Sequence, residues 1–358
     1  MLAPLTEADI RDLRLVSGDI LVCEGGEIGR SSVWKNNLPE AYFLNTLHRL
    51  RSKGRYEPLL LVSVLEHMVK TGELSALVGK SSLAHLTKEN LLRVQIPLPP
   101  PPEQKEVVAS LSAADQVISG LERLIAKKKA IKKGLLHQLL TGETRLPGFS
   151  APWRSLRLGE AAQFSKGAGL PKSDIRANGS TSCIHYGELF THYGAEIETV
   201  ASRTDKVNPG VRSRTLDVLM PTSDVTPRGL AKASSIHPSG VILGGDILII
   251  RADPQQIYGP FLAHAIRRDA NQILQLVRGS TVFHIYAADM KSFLLRVPGV
   301  EEQRAICAVL RDSEREIQRL ENRLAKARAV KVGMMQELLT GRTRLLAEGG
   351  PAEGEEAV

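Results

Sequence analysis

The chain has 358 residues, of which 42% are hydrophobic and 4% aromatic, with 47 basic and 39 acidic side chains. This length allows two domains with buried cores, and no apolar run is long enough to suggest a membrane span or a signal peptide. Cys23, Cys183 and Cys307 form no CxxC pair and no metal-spaced cluster with histidine, so we expect a soluble, cytoplasmic and metal-free chain.

The net charge of +8 favours a polyanionic partner, and nucleic acid is the common one. Residues 347–358 contain four glutamates and no basic side chain, which predicts an acidic, disordered tail. Without this tail the remaining chain carries a charge of +12.

The first globular part, residues 1–102, is predicted to mix short strands and helices. Residues 17–23 are an apolar run led by Gly-Asp, a turn signal before a strand, and residues 42–48 are interpreted as another strand. Residues 59–70 have the pattern of a short helix, and the apolar side chains at 96 and 98 are expected to close this part.

Residues 103–146 are predicted to form one long helix with a coiled-coil seam. Apolar side chains recur at alternating steps of three and four, the pattern of a heptad repeat. These side chains are Leu111, Ala114, Ile118, Leu121, Ile125, Leu135 and Leu139. Lys128 and Lys132 fill the gap in this seam, prolines at 97 and 99–102 fix the start of the helix, and Gly142 is a normal stop.

The second globular part, residues 147–300, also reads as mixed. Residues 245–250 repeat the Gly-Asp-led strand, residues 259–268 have a helical pattern, and residues 294–297 close the part. Residues 301–346 are predicted to form a second long helix ending at Gly341. Its seam side chains are Leu310, Ser313, Ile317, Leu320, Leu324, Ala327, Met334 and Leu338.

The two long helices are copies of one another. The 44 residues that start at Glu103 align without a gap with the 44 that start at Glu302, and 19 positions are identical, whereas chance would give roughly 3. The repeat extends upstream, where Asp19-Ile20-Leu21 matches Asp217-Val218-Leu219. About 45 residues after Trp153 have no counterpart in the first copy. Either its globular part lacks the opening strands, or the start of the sequence was chosen too late.

The repeat favours two globular parts on an antiparallel helix pair. A helix of 38 residues is about 57 Å long and cannot hide its seam on a small domain. The link at residues 143–153 is too short to carry the chain back along that length, so the two helices should run antiparallel with pseudo-two-fold symmetry. Two helices of an ordinary bundle remain the alternative.

This arrangement resembles the specificity subunit (HsdS) of type I restriction–modification systems, with a shortened first recognition domain. The matching features are Gly18-Asp-Ile-Leu, the Lys80-Ser-Ser and Gly279-Ser-Thr turns, the Glu-Gln helix starts, and the Leu-Leu-Thr-Gly-x-Thr-Arg-Leu ends at Leu139 and Leu338. Trp153 with Leu158-Gly-Glu opens the second part in the same way. No single motif is specific, but their duplicated order at fixed spacing is.

The resemblance implies an α+β fold with a division of labour. Residues 1–102 and 147–300 would be mixed α/β target recognition domains that each read half of a split double-stranded DNA site, and the helices 103–146 and 301–346 would be an antiparallel coiled-coil spacer. Two methyltransferase subunits and motor–nuclease subunits would be the partners, with no membrane. S-adenosylmethionine, ATP and Mg would be bound by those partners, and no cofactor by this chain.

No residue pattern predicts a catalytic site. There is no Asn-Pro-Pro-aromatic methylase motif and no GxxxxGK[ST] loop. The glycine-rich segment 24–29 follows a strand without opening an evident helix, so it is interpreted as a turn, with a nucleotide site as the alternative.

Basic and hydroxyl side chains on predicted loops are the candidate DNA contacts, since arginine reads guanine while lysine and serine mostly hold phosphate. In the first part these are Arg30, Lys35, Arg49, Arg51, Lys53, Arg55, Lys80 and Ser81. In the second part they are Lys166, Lys172, Arg176, Arg203, Lys206, Arg212, Arg214, Arg228, Lys232, Arg278 and Ser280. The cluster 49–55 and the pair Arg212/Arg214 are the strongest candidates. For each candidate side chain the alternative interpretation is a solvated surface charge that does not contact DNA.

Glu103, Gln104, Glu302 and Gln303 lie in first helical turns, where carboxylates suit the helix dipole. They are expected to be structural, with a further role in partner binding. His85 and His284 occupy equivalent repeat positions and are interpreted as structural histidines. Against the DNA-reading function stand two alternatives: a coiled-coil scaffold that binds only protein, and a stand-alone enzyme.

Overall fold

The computed structural model describes residues 6–44, 46–78, 85–205 and 210–345. It divides into two compact units: unit 1 is Met1–Ile125 with Arg319–Val358, and unit 2 is Ala126–Gln318. Each unit contains a sheet-based part and a portion of both long helices. The tail predicted to be disordered, residues 347–358, lies outside the described residues.

Unit 1 has one three-stranded antiparallel sheet in the order β2-β1-β3, with helices packed on it. Its elements are α1 (Glu7–Leu13), β1 (Ile20–Cys23), β2 (Ser31–Val33), β3 (Leu47–Leu50), α2 (Pro58–Thr71), α3 (Glu73–Val78), α4 (Lys88–Leu92) and the start of α5 (Pro101–Thr141).

Unit 2 is larger because it opens with strands that unit 1 lacks among its described residues. Before the region shared by both copies come β4 (Arg154–Arg157), β5 (Ala162–Lys166), β6 (Ile175–Arg176), β7 (Thr181–Ile184), α6 (Glu188–Thr191), β8 (Glu196–Ile197) and β9 (Ser202–Thr204). The shared region has β10 (Val218–Pro221), β11 (Ser223–Asp224), β12 (Ser234–Ile236), β13 (Ile242–Leu243), β14 (Ile247–Ala252), α7 (Gly259–Arg268), α8 (Ala270–Leu276), β15 (Phe283–His284), α9 (Ala287–Met290), β16 (Leu294–Val297) and α10 (Val300–Leu338).

These strands form two main sheets and two short ribbons. The main sheets have the orders β5-β14-β10-β12-β8 and β13-β7-β9-β6, and the ribbons are β11-β15 and β16-β4. Two apolar clusters fill the space around the five-stranded sheet, one containing Phe261 and Phe293 and the other Ile184 and Leu189.

The central strand pair of each unit is the same structure. In unit 1 Ile20 pairs with Leu50 and Val22 with His48, and in unit 2 Val218 pairs with Ile250 and Met220 with Leu248. The turn before the first strand of this pair carries Asp19 in unit 1 and Asp217 in unit 2, as the repeat predicts, with Gly18 and Leu216 before them. The predicted strand at 42–48 is wrong in its bounds: β3 covers Leu47–Leu50, and Tyr42 only bridges to Arg14.

The two long helices pack together as an antiparallel pair, confirming the predicted architecture. In unit 1 Glu122 of α5 pairs with Arg328 of α10 at 2.7 Å, and Leu121 and Ile125 pack against Leu320. In unit 2 Lys128 pairs with Glu316 at 2.7 Å and Lys132 with Glu314. Successively later residues of α5 thus contact successively earlier residues of α10, as in an antiparallel pair. The lysines that interrupt the apolar seam of α5 pair with glutamates of α10.

Candidate nucleic-acid interface

Arg51, a predicted DNA contact, is instead bonded to a buried carboxylate. Its Nε lies 2.6 Å from Asp19 Oδ1 and its Nη2 lies 2.7 Å from Oδ2. The same fork joins Arg251 to Asp217 in unit 2, at 2.8 Å for both bonds. Because both carboxylates are fully buried, each arginine stabilises the turn that precedes the central strand.

The carboxylates of these pairs also cap their own turns. Asp19 Oδ2 accepts a hydrogen bond from the Val16 N–H, and Asp217 Oδ2 accepts one from the Arg214 N–H. Burial opposes ionisation of Asp19, but the bonds from Arg51 and Val16 outweigh it and lower the pKa of this carboxyl below its usual value.

Seven of the other predicted contacts are also engaged within the chain. Arg49 lies 4.9 Å from the centre of the Phe43 ring and donates to the carbonyls of Asp12 and Arg14. Arg30 pairs with Glu27, Lys166 with Asp246 and Arg278 with Asp289. Arg176, Arg203 and Arg212 donate to the loop carbonyls of Ser173, Gly179 and Gly240.

Seven candidate cations are exposed and form no ion pair or side-chain hydrogen bond within the described residues. They are Lys35, Lys53, Arg55, Lys172, Arg214, Arg228 and Lys232. Ser280 is exposed as well, whereas Lys80, Ser81 and Lys206 lie outside the described residues. The exposed seven keep their charge available for phosphate or a base edge.

Unit 2 also presents an apolar edge that the sequence did not predict. Val225, Val282 and Tyr286 flank the β11–β15 ribbon and are 71%, 44% and 53% exposed. The turn between Arg278 and His284 requires Gly279, whose φ is +114° and whose missing Cβ would lie 2.2 Å from the Val282 carbonyl. Apolar side chains beside Arg228 suit contact with a thymine methyl group. The Gly279-Ser-Thr motif is the sequence signal that could have located this apolar edge.

The Glu-Gln helix starts are joints that hold the helices in place. Glu103 at the start of α5 pairs with Arg344 after the end of α10, at 2.6 Å, and Glu302 pairs with Arg145 after the end of α5, at 2.6 Å. The hydrogen bond from Arg344 lowers the pKa of Glu103. The Thr-Arg-Leu ends of the repeat therefore fasten the opposite helix.

Gln104 and Gln303 complete these joints with matching hydrogen bonds. Gln104 accepts from the Glu57 N–H and donates to the carbonyls of Arg55 and Pro99. Gln303 accepts from the Tyr258 N–H and donates to those of Gln256 and Pro298. All four side chains of the two Glu-Gln pairs are buried, and these contacts account for the structural role expected of them. Their role in partner binding stays a prediction.

A cavity of about 730 Å³, lined by both charged and apolar side chains, lies in unit 2 between α10 and β8. Glu196 pairs there with Arg311 and His237, both at 2.8 Å. Burial, with Arg267, Lys132 and Arg311 nearby, lowers the pKa of His264 to about 4, so this imidazole is neutral at pH 7. Arg267 of α7 donates to the carbonyls of Tyr193, Gly194 and Ala233. These hydrogen bonds fasten α7 to the segments that precede β8 and β12.

The described residues hold no group of three metal-ligating side chains and no helix long and apolar enough to cross a membrane. The predicted turn at 24–29 is present: the Gly29 N–H closes onto the Cys23 carbonyl at 3.0 Å. Fold and site together define a duplicated scaffold, in which each sheet-based unit contains a portion of both long helices.

Comparisons with known proteins show what this chain is similar to. Residues 5–133 match the family model for the type I restriction modification DNA specificity domain. The provisionally named type I restriction enzyme MjaX specificity subunit of Methanocaldococcus jannaschii is 24% identical over 95% of this chain and 82% of its own length. The MjaVIII specificity subunit of the same organism is 21% identical over 91% of this chain and 79% of its own.

Two solved structures have the same fold. The HsdS subunit from Thermoanaerobacter tengcongensis aligns with a TM-score of 0.51 at 19% identity, covering 92% of this chain and 82% of that one. The type I restriction–modification S subunit from M. genitalium aligns with a TM-score of 0.59 at 15% identity, covering 92% and 84%. The chain is therefore similar over most of its length to specificity subunits of type I restriction–modification systems, and residues 5–133 match the DNA specificity domain.

Proposed function

We propose that this chain is a type I restriction–modification specificity subunit that reads a two-part sequence on double-stranded DNA, with one half-site for each unit. The observation that carries the proposal is the duplicated joint, in which Glu103–Arg344 and Glu302–Arg145 hold two like-built units on one helix pair. Two recognition units joined through paired helices would read two short sequences at a set separation.

The exposed cations support duplex binding at both units. Lys35, Lys53 and Arg55 belong to unit 1, and Lys172, Arg214, Arg228 and Lys232 belong to unit 2. Lysines of this kind neutralise phosphates, and arginines can also donate two bonds to guanine. Arg49 and Arg51 serve the fold, so the cluster 49–55 contributes through Lys53 and Arg55.

The catalytic steps would belong to the partners. Two methyltransferase subunits would methylate DNA using S-adenosylmethionine, and motor–nuclease subunits would use ATP and Mg, while this chain binds no cofactor and works in the cytoplasm. Exposed Val117 and Val330, 56% and 60% accessible, lie on the helices and are available for a subunit contact.

Methylation mapping tests the proposal. The chain is expressed with its methyltransferase partner in a host lacking other methylases, and the DNA is sequenced for modified bases. We expect methylation within a motif of two short sequences separated by a fixed non-specific spacer. Methylation of a continuous motif, or duplex binding without a steep salt dependence, would contradict two-part recognition.

A further inference from the structure

A buried lysine of the helix pair is balanced by carboxylates in unit 1. Lys331 of α10, 12% exposed, lies 3.3 Å from a carboxylate oxygen of Glu66 in α2 and 2.8 Å from one of Asp115 in α5. Burial opposes the charged form of Lys331, but the bonds from its Nζ to Asp115 and Glu66 outweigh burial and raise its pKa. Unit 1 therefore compensates the charge that it places at this point.

Unit 2 has the same lysine with only one of these carboxylates. The gapless helix repeat matches Lys331 with Lys132 of α5, which is 27% exposed. The repeat also matches Asp115 with Glu314 of α10, and Glu314 pairs with Lys132. Here the pKa of the lysine is lowered instead of raised, first by burial and next by the positive charge of Arg267. The difference between the units thus lies in the third side chain.

That third side chain is an arginine of α7 where unit 1 has Glu66. The N–H groups of Glu57 and Tyr258 bind the two helix-start glutamines, so these residues hold equivalent positions before α2 and α7. Counting along both helices from there places Arg267 at the position of Glu66. The exchange turns a carboxylate into a guanidinium, and among the described residues no carboxylate pairs with Arg267. Burial without such a partner lowers the pKa of Arg267 to about 10.

Arg267 and His264 keep hydrogen-bonding capacity that the described residues do not use. The Nε and Nη2 of Arg267 donate to backbone carbonyls and to Ser234, whereas its Nη1 has no acceptor among the described residues. The ring of His264, one helical turn earlier and 8% exposed, forms no hydrogen bond with them either, and its Nε2 lies 4.0 Å from Glu196. A buried polar group without a partner is rare and costly, so both groups indicate a ligand.

The described lining of the cavity between α10 and β8 has one excess positive charge when the imidazoles are counted as neutral. Arg311 pairs with Glu196 at 2.8 Å, and Arg315 pairs with Glu198 at 2.8 Å. These pairs cancel, so the excess remains at Arg267. The charged lining residues are the basic Lys132, Arg267, Arg311 and Arg315 and the acidic Glu196, Glu198 and Glu314.

The charge and the walls of the cavity define the class of ligand. One excess positive charge matches one carboxylate, whereas a phosphate dianion would bring an unpaired negative charge into a partly buried site. The two oxygens of a carboxylate match the two unused donors, on Arg267 and His264. Leu136, Ile197 and Leu310 also line the cavity, and its volume of about 730 Å³ lies in the range of small-molecule sites. An apolar group attached to the carboxylate suits these walls.

We propose that this cavity binds the carboxylate of an organic acid, with Arg267 and His264 as the donors and Lys132 close by. Surplus charge and unused donors within unit 2 call for this group whether a free acid or another part of the chain supplies it. Among the residues that the structure does not describe, only 346–358 contain acidic side chains, and these are four glutamates. The experiment therefore separates a free acid from these glutamates.

A fluorine NMR titration of the full chain with 4-fluorobenzoate tests the proposal. We expect saturable binding with a Kd on the order of 1 mM, because the ligand is small. The uncharged amide 4-fluorobenzamide has the same shape and should bind about tenfold more weakly. In a second full chain the glutamates at 348, 353, 355 and 356 are changed to glutamine. Equal affinity of both chains assigns the cavity to a free acid, and tighter binding by the second chain assigns it to those glutamates.

Matched variants separate this site from a general attraction of a basic chain for acids. His264→Ser introduces the residue that unit 1 has at this position, Ser63, and should weaken binding about tenfold. Arg315→Gln removes a positive charge from the same lining, but this half-exposed arginine is paired with Glu198, so the Kd should change by less than about twofold.

Three results would each overturn the proposal: no binding of 4-fluorobenzoate by either chain, equal binding of the acid and the amide, or an unchanged Kd in His264→Ser. The comparison of acid with amide uses the unchanged chain and does not depend on how the variants fold. None of these measurements uses DNA, so their outcome is independent of the proposed function.

Discussion

At the scale of residues, the repeated Asp–Arg fork explains why the basic cluster of unit 1 is not one functional group. Asp19 and Asp217 are equivalent in the repeat, and their partners Arg51 and Arg251 follow 32 and 34 residues later. A buried carboxylate is costly unless a cation pairs with it. The arginine beside each of these carboxylates is therefore explained by this pairing, although its side chain is partly exposed. Arg251 was missed because it stands within an apolar strand.

Arg51→Ala should destabilise unit 1 by about 2–4 kcal/mol at pH 7, since it leaves Asp19 buried and unpaired, although the half-exposed arginine moderates the loss. The folded pKa of Asp19 is lowered, so the stabilisation is complete above the usual value of 3.8 and is lost as pH falls through the folded pKa. Urea unfolding at pH 7 and pH 3 measures this, and a difference that persists unchanged at pH 3 contradicts it.

Lys53→Ala with Arg55→Ala should weaken DNA binding at one half-site and leave folding intact. Both side chains are exposed and unpaired within the described residues, so the unfolding free energy should change by less than about 0.5 kcal/mol. The slope of log Kobs against log salt should fall by about one for each lost phosphate contact. Lys88→Ala, which removes an exposed charge on α4, is the control and should leave that slope unchanged.

The sequence predicted these cations only as a class. Composition and loop position select exposed basic side chains, but they do not show which have an internal acceptor. Arg212 ranked with Arg214, yet Arg212 donates to the Gly240 carbonyl, 28 residues away, while Arg214 is unpaired among the described residues. Such pairings are set by the folded chain and leave no local signal.

At the scale of elements, the joints explain why Glu-Gln and Thr-Arg-Leu occur together. Neither motif is informative alone, because a glutamate in a first turn is common. Glu302 bonds to Arg145 across 157 residues, and Gln303 fastens the helix to the loop before α7. The helix pair therefore depends on a few buried polar contacts in addition to its apolar seam.

Gln303→Ala should destabilise unit 2 by about 2–4 kcal/mol, because the part-buried Tyr258 N–H and two carbonyls lose their partner. Gln104→Ala should have a comparable effect on unit 1. Thermal or urea unfolding checks both. Gln116→Ala on the exposed face of α5 is the matched control, and equal effects of Gln116 and Gln303 would show that the joint is unimportant.

Helices were predicted more accurately than strands, for a physical reason. The start of α5 lies two residues before the predicted one, because a long heptad pattern and flanking prolines are local signals. Strands of two to four residues, such as β6, β8 and β13, carry too few side chains for alternation to be read. Their pairing comes from distant parts of the chain.

At the scale of the whole molecule, the length of the helix pair should set the spacing of the half-sites. α5 has 41 residues and α10 has 39, so each is about 60 Å long. The duplicated joints bind each helix end to the other helix, which leaves little freedom to vary that length.

Seven residues inserted after Ile125 in α5 and after Arg319 in α10 should lengthen the helix pair by about 10 Å. The non-specific spacer of the methylated motif should then grow by about three base pairs, since successive base pairs are about 3.4 Å apart. Methylation mapping reports the spacer directly. The same insertion in α5 alone breaks the pairing and serves as the control, and an unchanged spacer in the double insertion would contradict the role of the helices.

The charged layer in the middle of the helix pair has a consequence for alignment. Sliding α10 by one heptad in one direction brings Lys128 opposite Arg323, and sliding it in the other brings Lys132 opposite buried Cys307 and Glu122 opposite Glu321. Each slipped state opposes like charges or desolvates a lysine, while a purely leucine seam would tolerate both. The lysines that weaken the apolar contact thus favour one alignment of the two helices over the alignments shifted by a heptad.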